Sequence, residues 1–160
     1  MGTRSLTFVY DEQDVIINMY RQYDGYPTGH GAELAEFLGQ FRMTNGIPVG
    51  RDKTGDRIAN GMGCLAGQLV AHFKGSDAGQ FYLYPATAVD CGQDYEYHIY
   101  KGECTFVDNE GNEQRASGLR VRITDRGCNM FGLTMSDKND AIFDGSLAEF
   151  TEFCTEKEAA

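Results

Sequence analysis

Residues 20–38 read YRQYDGYPTGHGAELAEFL and join a segment with strand character to a segment with helix character. The preceding apolar residues alternate, as on one face of a strand: Val15, Ile17 and Met19. The following apolar residues have the i, i+3, i+4, i+7 spacing of an amphipathic helix: Leu34, Phe37, Leu38 and Phe41. A plain strand-to-helix connection needs only a few polar residues. The concentration of tyrosine, glycine, arginine and histidine here predicts a turn that binds a ligand.

Working outward, residues 5–10 and 14–23 predict two strands joined by a tight turn at DEQD. Two helices are predicted at Ala32–Arg42 and Arg57–Phe73. The second contains three glycines, each costing about 1 kcal/mol relative to alanine in a helix. Close packing against a neighbouring element is the expected reason for these residues: Gly61, Gly63 and Gly67.

The second half of the chain predicts mainly strands. Candidate strands are QFYLYPATA at 80–88, YEYHIYKGECTFVD at 95–108, GLRVRITD at 118–125 and, more weakly, CNMFGLTM at 128–135. Ser146 and Glu149 have the spacing of a capping box and predict the start of a short C-terminal helix. The order predicts a single α+β domain over 1–160, with a mainly antiparallel sheet and two central helices and the short C-terminal helix packed on one face.

The turn at 20–31 has the residue types that bind a small phosphorylated ligand. Glycines before a helix bring a ligand close to unpaired amides, arginine suits phosphate, and tyrosine rings offer faces for a base. The predicted ligand-binding residues are Arg21, Tyr23, Asp24, Tyr26, Gly29, His30 and Gly31. The alternative interpretation is purely structural: glycines and Pro27 shape the turn, and the tyrosines are half-buried packing.

The predicted loop at 43–56 is long for a connection between two helices. Arg51 and Lys53 lie inside it, with Arg42 and Arg57 at its margins. A local group of cations in an acidic chain predicts a basic flap over an anionic ligand. The alternative is a simple solvated loop.

Two strands have polar faces with other possible uses. Asp94, Glu96 and His98 alternate on one face, where they either ligate a metal or form a solvated face; we predict no metal site. Arg120 and Arg122 point outward while Val121 and Ile123 point inward. No nucleophile motif is present and no histidine spacing indicates a base for one, so we predict no catalytic residues and no cofactor.

Composition limits the class of partner. The 160-residue chain has a formal net charge of −10, which disfavours polymeric nucleic acid because such binding requires many phosphates to be neutralised. The five cysteines are scattered without a CxxC pair, which favours reduced thiols in a cytoplasm. No apolar run is long enough for a membrane span. Assembly as a homo-oligomer is compatible with these features.

TRSLTFVY, MYRQYDGYPTGHG and GCLAGQLVAHFK resemble a largely uncharacterised family of small proteins found in bacteriophage and bacterial genomes. The resemblance covers the first half of the chain, and RQYDGYPTGHG is its most distinctive part. It implies a phage protein that sequesters a nucleotide-derived signal of a host defence, in the host cytoplasm. The alternatives are a protein–protein interaction module that targets a host protein and, third, a nucleotide-processing enzyme with His30 as the acid/base.

Overall fold

The structure is a computed structural model that describes residues 2–46, 56–126 and 141–159. It confirms the predicted α+β class with a mainly antiparallel sheet. The sheet has six strands in the order β5-β2-β1-β6-β7-β8, and a separate parallel pair is formed by β3 and β4. Within the large sheet β1 and β6 are parallel, and the other neighbours are antiparallel.

The elements follow the chain in this order. They are β1 (Ser5–Asp11), β2 (Asp14–Arg21), a wide π-type turn (Pro27–Gly31), α1 (Ala32–Leu38), β3 (Phe41–Thr44), β4 (Arg57–Asn60), α2 (Gly61–Lys74), β5 (Phe81–Tyr84), β6 (Tyr95–Val107), β7 (Glu113–Asp125), β8 (Ala141–Ser146) and α3 (Leu147–Ala159). None of the helices in these described ranges is long and apolar enough to cross a membrane.

The main core lies between the helices and one face of the sheet. Alternate strand residues pack against the inward stripes of α1, α2 and α3, as the period of two requires. The fully buried strand residues of this core include Val9, Tyr97, Ile99, Val121 and Ile123. The predicted inward orientation of Val121 and Ile123 is therefore confirmed.

The opposite face of the sheet, which we call the open face, bears no helix in the described part of the chain. A smaller apolar cluster lies there, formed by Leu6, Phe8 and Tyr20. Residues 85–94, the crossover loop, pass over this face because they connect β5 to β6, which are separated by two strands. Asn18 holds the loop by donating from Nδ2 to the carbonyls of Pro85 and Ala88, at 3.0 and 2.8 Å.

The predicted boundaries of the two central helices are wrong. α1 ends at Leu38, before Gly39, and the apolar residue at Phe41 belongs to β3. Phe41 still contacts Phe37, with ring centroids 4.9 Å apart. Phe41 therefore continues the helical spacing of α1 in the sequence, but it packs against Phe37 from a strand. Likewise β4 occupies the first four residues of the predicted second helix, and α2 begins at Gly61.

The β-rich half follows the prediction more closely. The long hairpin of β6 and β7 is confirmed, with its turn at 108–112. The predicted strand at 128–135 lies outside the described residues, and β8, which was not predicted, pairs with β7 instead. The capping box of α3 is confirmed: the Ser146 amide donates to Glu149 Oε2 at 2.7 Å, and the Glu149 amide donates to Ser146 Oγ at 3.3 Å.

The expected reason for the glycines in α2 is wrong. A Cβ added at Gly63 or Gly67 would meet nothing within 4 Å among the described residues, and both positions are exposed. These glycines therefore do not mediate close packing with any described element.

We expect Gly63→Ala and Gly67→Ala each to raise the free energy of unfolding by about 0.5–1 kcal/mol, because alanine restricts the unfolded chain and favours the helix. Urea denaturation of each variant measures the change. Gly25→Ala is the matched control, since its Cβ would lie 2.8 Å from the carbonyl carbon of Arg4 and should lower stability. A loss of stability at Gly63 or Gly67 would contradict this explanation.

Candidate functional site

Two of the predicted site residues, Arg21 and His30, are buried in the protein interior. Arg21 ends β2 with only 3% of its surface exposed, and His30 in the π-type turn is fully buried. Arg21 forms an ion pair with Glu33 of α1 and donates from Nε to the Tyr23 carbonyl at 2.5 Å. Its guanidinium also lies 5.1 Å from the ring centre of Phe81. Arg21 therefore ties β2 to the turn and to α1.

His30 is a neutral hydrogen-bonding link in this network. Arg21 can only donate, so His30 Nδ1 accepts from Arg21 Nη1 at 2.9 Å. His30 Nε2 then bears the proton and donates to Thr7 Oγ1 at 2.8 Å. Burial, together with the nearby Arg21 charge, holds the pKa of His30 well below its ordinary value. Every described polar contact of the imidazole is internal.

The amides of the glycine-rich segment are also used within the turn. Gly29 and Gly31 donate to the Tyr26 carbonyl at 3.0 and 3.4 Å, and His30 donates to the Asp24 carbonyl at 2.9 Å. A Cβ at Gly29 would lie 2.5 Å from the Asp24 oxygen, and one at Gly31 would lie 2.9 Å from Cys154 Sγ. These glycines permit close backbone packing, and their amides are not the open donors that an anion would need.

The other predicted residues divide into two groups. Tyr23, Asp24 and Tyr26 are exposed on the outside of the turn, and Tyr23 and Tyr26 are 52% and 39% exposed. Arg51 and Lys53 lie outside the described residues, as does most of the predicted flap. A ligand-binding role for all these residues stays a prediction.

A cavity of about 300 Å³ lies beside the Arg21–Glu33 pair, between α1 and α2. Its charged lining consists of Arg21 with two carboxylates, Glu33 and Glu36. Arg21 already pairs with Glu33 and donates to the Tyr23 carbonyl and to His30, so this cavity is poorly suited to a phosphate.

The open face has a better arrangement for an anionic, aromatic ligand. The strand register places six side chains in one row across the sheet: Tyr84, Asn18, Phe8, His98, Arg122 and Asp144. Directly opposed residues on antiparallel strands have Cβ atoms about 4.5–5.5 Å apart. His98 and Arg122 are such an antiparallel pair, and Phe8 adjoins His98 through the parallel pairing of β1 and β6, so the row places Phe8, His98 and Arg122 in succession.

His98 is held by partners on both sides. Its ring stacks on Phe8 with centroids 5.1 Å apart and planes 7° apart. An ionised Glu96 has no proton to donate and can only accept hydrogen bonds, so His98 Nε2 donates to Glu96 Oε2 at 3.3 Å. In the neutral imidazole Nδ1 then accepts from the Tyr10 hydroxyl at 2.7 Å. These contacts give the ring a defined orientation beside Arg122.

Glu96 is a buried carboxylate that holds Arg126 on the open face. Its carboxylate accepts from Gln93 Nε2 at 2.7 Å and from Arg126 Nε at 2.7 Å. Burial alone would raise the pKa of Glu96, but the hydrogen bonds from His98 and Gln93 and the charge and hydrogen bond of Arg126 outweigh it, so the pKa lies below its ordinary value. The ionised carboxylate therefore fixes Arg126, which also donates to the Val89 carbonyl of the crossover loop at 3.1 Å.

Two cavities lie side by side on this face and share Tyr10, His98 and Arg122. The loop-side lobe, of about 360 Å³, extends toward the crossover loop and is also lined by Phe8, Glu96 and Arg126. The edge-side lobe, of about 300 Å³, extends toward β8 and is also lined by Glu12, Tyr100 and Asp144. We refer to the two lobes together as the open-face groove.

Hydrogen bonds also hold the side chains at the wall of the edge-side lobe. The Tyr100 hydroxyl donates to Asp144 Oδ1 at 2.6 Å, and Arg120 donates from Nε to the Tyr100 oxygen and from Nη2 to Asp144 Oδ1, each at 3.2 Å. Burial and the hydrogen bond to the Asp144 carboxylate raise the pKa of Tyr100, so its hydroxyl keeps its proton. Four of the side chains that line the groove are therefore fixed by neighbours, namely Tyr10, His98, Tyr100 and Asp144.

Part of this groove was visible in the sequence. The alternation of residues correctly predicted that Glu96 and His98 share a face and that Arg120 and Arg122 point outward. It did not predict that these residues line one site. Asp94 does not join them, because it precedes β6 and accepts from the Arg4 amide at 2.9 Å. The contact of Tyr10 with His98 joins strands 88 residues apart. No local spacing could have indicated it.

We compared the chain with protein-family models, with curated proteins and with solved structures, and found no match. The resemblance of the first half to a phage and bacterial family therefore stays a prediction. The function is inferred from the geometry of the chain's own residues.

Proposed function

We propose that this protein binds a small phosphorylated, nucleotide-derived ligand in the open-face groove and does not turn it over. The observation that supports this proposal is the row in which the His98 ring, stacked on the buried ring of Phe8, lies next to Arg122. An aromatic face binds a base by stacking, and arginine binds phosphate oxygens through its planar set of donors. The row offers both within the reach of one small molecule.

The charge of the loop-side lobe supports an anionic ligand despite the acidic chain. The loop-side lobe contains two arginines, Arg122 and Arg126, and one carboxylate, Glu96. A lobe with a local excess of positive charge can attract an anion in a protein whose net charge is −10. The limited number of arginines suits one or two phosphate groups better than a polymer, which needs many contacts.

The chemistry of Tyr10 supports binding without turnover. Its hydroxyl contacts His98, which contacts Glu96, so the three groups form a chain that resembles a proton relay. Burial and the Glu96 charge raise the pKa of Tyr10, however, and disfavour the phenolate that would act as a nucleophile. A protonated hydroxyl acts here as a hydrogen-bond donor that orients His98.

The proposed biological role follows the family resemblance. A phage protein that binds a nucleotide signal tightly in the cytoplasm of a bacterial host lowers its free concentration and thereby blunts the defence. Binding alone is sufficient for this role.

We expect Arg122→Ala to weaken binding of guanosine or adenosine 5′-monophosphate at least about 10-fold, since a hydrogen bond to a charged group contributes about 1.5–3 kcal/mol. Isothermal titration calorimetry at two salt concentrations measures the affinity, which should fall as salt rises. Arg115→Ala is the matched control, because Arg115 lies on the far part of β7 with a 75% exposed side chain. Equal affinities in both variants would exclude the groove as the phosphate site. Recovery of a changed nucleotide after incubation would favour an enzyme.

A second candidate function has its own supporting observation. In the described part of the chain β5 is an edge strand of the large sheet, and Tyr82, Leu83 and Tyr84 are 44%, 61% and 36% exposed. Exposed apolar edges accept an added strand from a partner, so a protein–protein interaction module is the alternative. Substituting Leu83→Lys should abolish such an interaction and leave nucleotide binding unchanged.

A further inference from the structure

We propose that the open-face groove binds a dinucleotide, with two nucleosides in the two lobes and the linking phosphate at Arg122. This inference rests on the proposed function and names the ligand class for the same site. Its basis is the two-lobed shape of the groove and the position of Arg122, which lines both lobes.

The residues shared by the two lobes define where they meet. Tyr10, His98 and Arg122 line both cavities, so a ligand that extends from one lobe to the other must pass over them. The rings of Tyr10 and His98 lie there, with centroids 5.8 Å apart. Arg122 is exposed and lies directly opposite His98 in the register. A phosphate at the junction can therefore contact a guanidinium while groups on either side lie against rings.

The size of the lobes favours two small units over one. Ligand cavities usually measure about 300–1,000 Å³. Each lobe, at about 360 and 300 Å³, lies at the lower limit of this range and suits one nucleoside. A mononucleotide would fill one lobe and leave the other, whose volume is similar, to solvent.

The distribution of charge favours a phosphate at the junction and a base in the edge-side lobe. The loop-side lobe has two arginines and one carboxylate, whereas the edge-side lobe combines Arg122 with two carboxylates, Glu12 and Asp144. Arg120 lies beside Asp144 and offsets its charge. Carboxylates repel a terminal phosphate but accept hydrogen bonds from the amino and imino groups of a base, above all those of guanine. Tyr100 adds an aromatic ring to the same lobe.

The test compares mononucleotides with linear dinucleoside monophosphates, namely adenylyl-adenosine and guanylyl-guanosine, by isothermal titration calorimetry on the full chain. We expect one dinucleotide per protein, bound at least 10-fold more tightly than either mononucleotide, and the guanine compound bound more tightly than the adenine one. Arg122→Ala should weaken both classes.

Two variants each fill one lobe at an exposed position: Ala86→Trp for the loop-side lobe and Glu12→Trp for the edge-side lobe. Each should lower dinucleotide affinity to the level of a mononucleotide while one lobe still accepts the mononucleotide. In the unsubstituted protein, NMR signals of the Val15 methyl groups and the Tyr100 ring report the two lobes independently, and a dinucleotide should shift both.

The possible failures are distinguishable. If mononucleotides and dinucleotides bind equally tightly, and only one lobe variant or one NMR signal responds, the dinucleotide inference is wrong and the proposed function stands. If neither class binds the unsubstituted protein, the proposed function is wrong as well.

Discussion

Replacing Arg21 with alanine should lower the free energy of unfolding by about 3 kcal/mol, because a hydrogen bond to a charged group contributes about 1.5–3 kcal/mol and Arg21 makes several. The variant leaves the Tyr23 carbonyl and His30 Nδ1 without their donor inside the fold. Glu33, whose side chain is 51% exposed, regains water, which limits the loss. Chemical denaturation monitored by circular dichroism measures the change.

The matched control is Arg115→Ala, which removes an ion pair to Glu103 in which both side chains are largely exposed, at 75% and 65%. Exposed pairs contribute about 0–1 kcal/mol, so this variant should unfold almost like the original protein. If both variants lose the same small amount of stability, Arg21 does not hold β2 to the turn. Arg21 would then be available for a ligand.

The second large effect is a loss of stability in mild acid caused by His30. The folded pKa of His30 lies well below the ordinary value of 6.5, because burial and Arg21 oppose protonation. Between the folded pKa and pH 6.5, the unfolded chain binds a proton that the folded protein does not. The stability contributed by this group is therefore full above pH 6.5 and is lost as the pH falls toward the folded pKa. The expected slope is at most about 1.4 kcal/mol per pH unit.

The slope is measured by urea denaturation between pH 7.5 and 5 in the original protein and in His30→Gln. Glutamine cannot titrate, and its amide can accept from Arg21 and donate to Thr7, so the variant should show a smaller slope. Arg115→Ala is the control, since it removes only an exposed ion pair, and it should keep the original slope. An NMR titration in which His30 gains a proton near pH 6.5 in the folded protein would contradict the assignment.

Much of the fold could be predicted because its signals are local. The alternation in β1, β2, β6 and β7 follows from the two-residue period of a strand, and the Ser146–Glu149 box marks the start of α3 through its own hydrogen bonds. The helix boundaries were misplaced for a physical reason. Phe41 continues the apolar spacing of α1 but reaches Phe37 from a strand, and Arg57 lies over the Phe41 ring at 4.7 Å in the parallel pair of β3 and β4.

The site was harder to predict because its parts are distant in the chain. The segment at 20–38 predicted a ligand site because of its unusual residues. In the folded protein, however, Arg21, His30 and the glycines make internal contacts. The open-face groove instead combines Tyr10 from β1, His98 from β6, Arg122 from β7 and Asp144 from β8. Each of these residues alone has the appearance of an ordinary solvated strand position.

The sequence by itself determined the α+β class, the inward and outward residues of the long strands, and the unusual composition of the segment before α1. These properties depend on backbone periodicity and on residue chemistry within a few positions. Only the tertiary structure decided that Arg21 and His30 are buried and that His98 stands between Phe8 and Arg122. Pairing order and register bring together residues from separate strands, and no local pattern encodes which strands become neighbours.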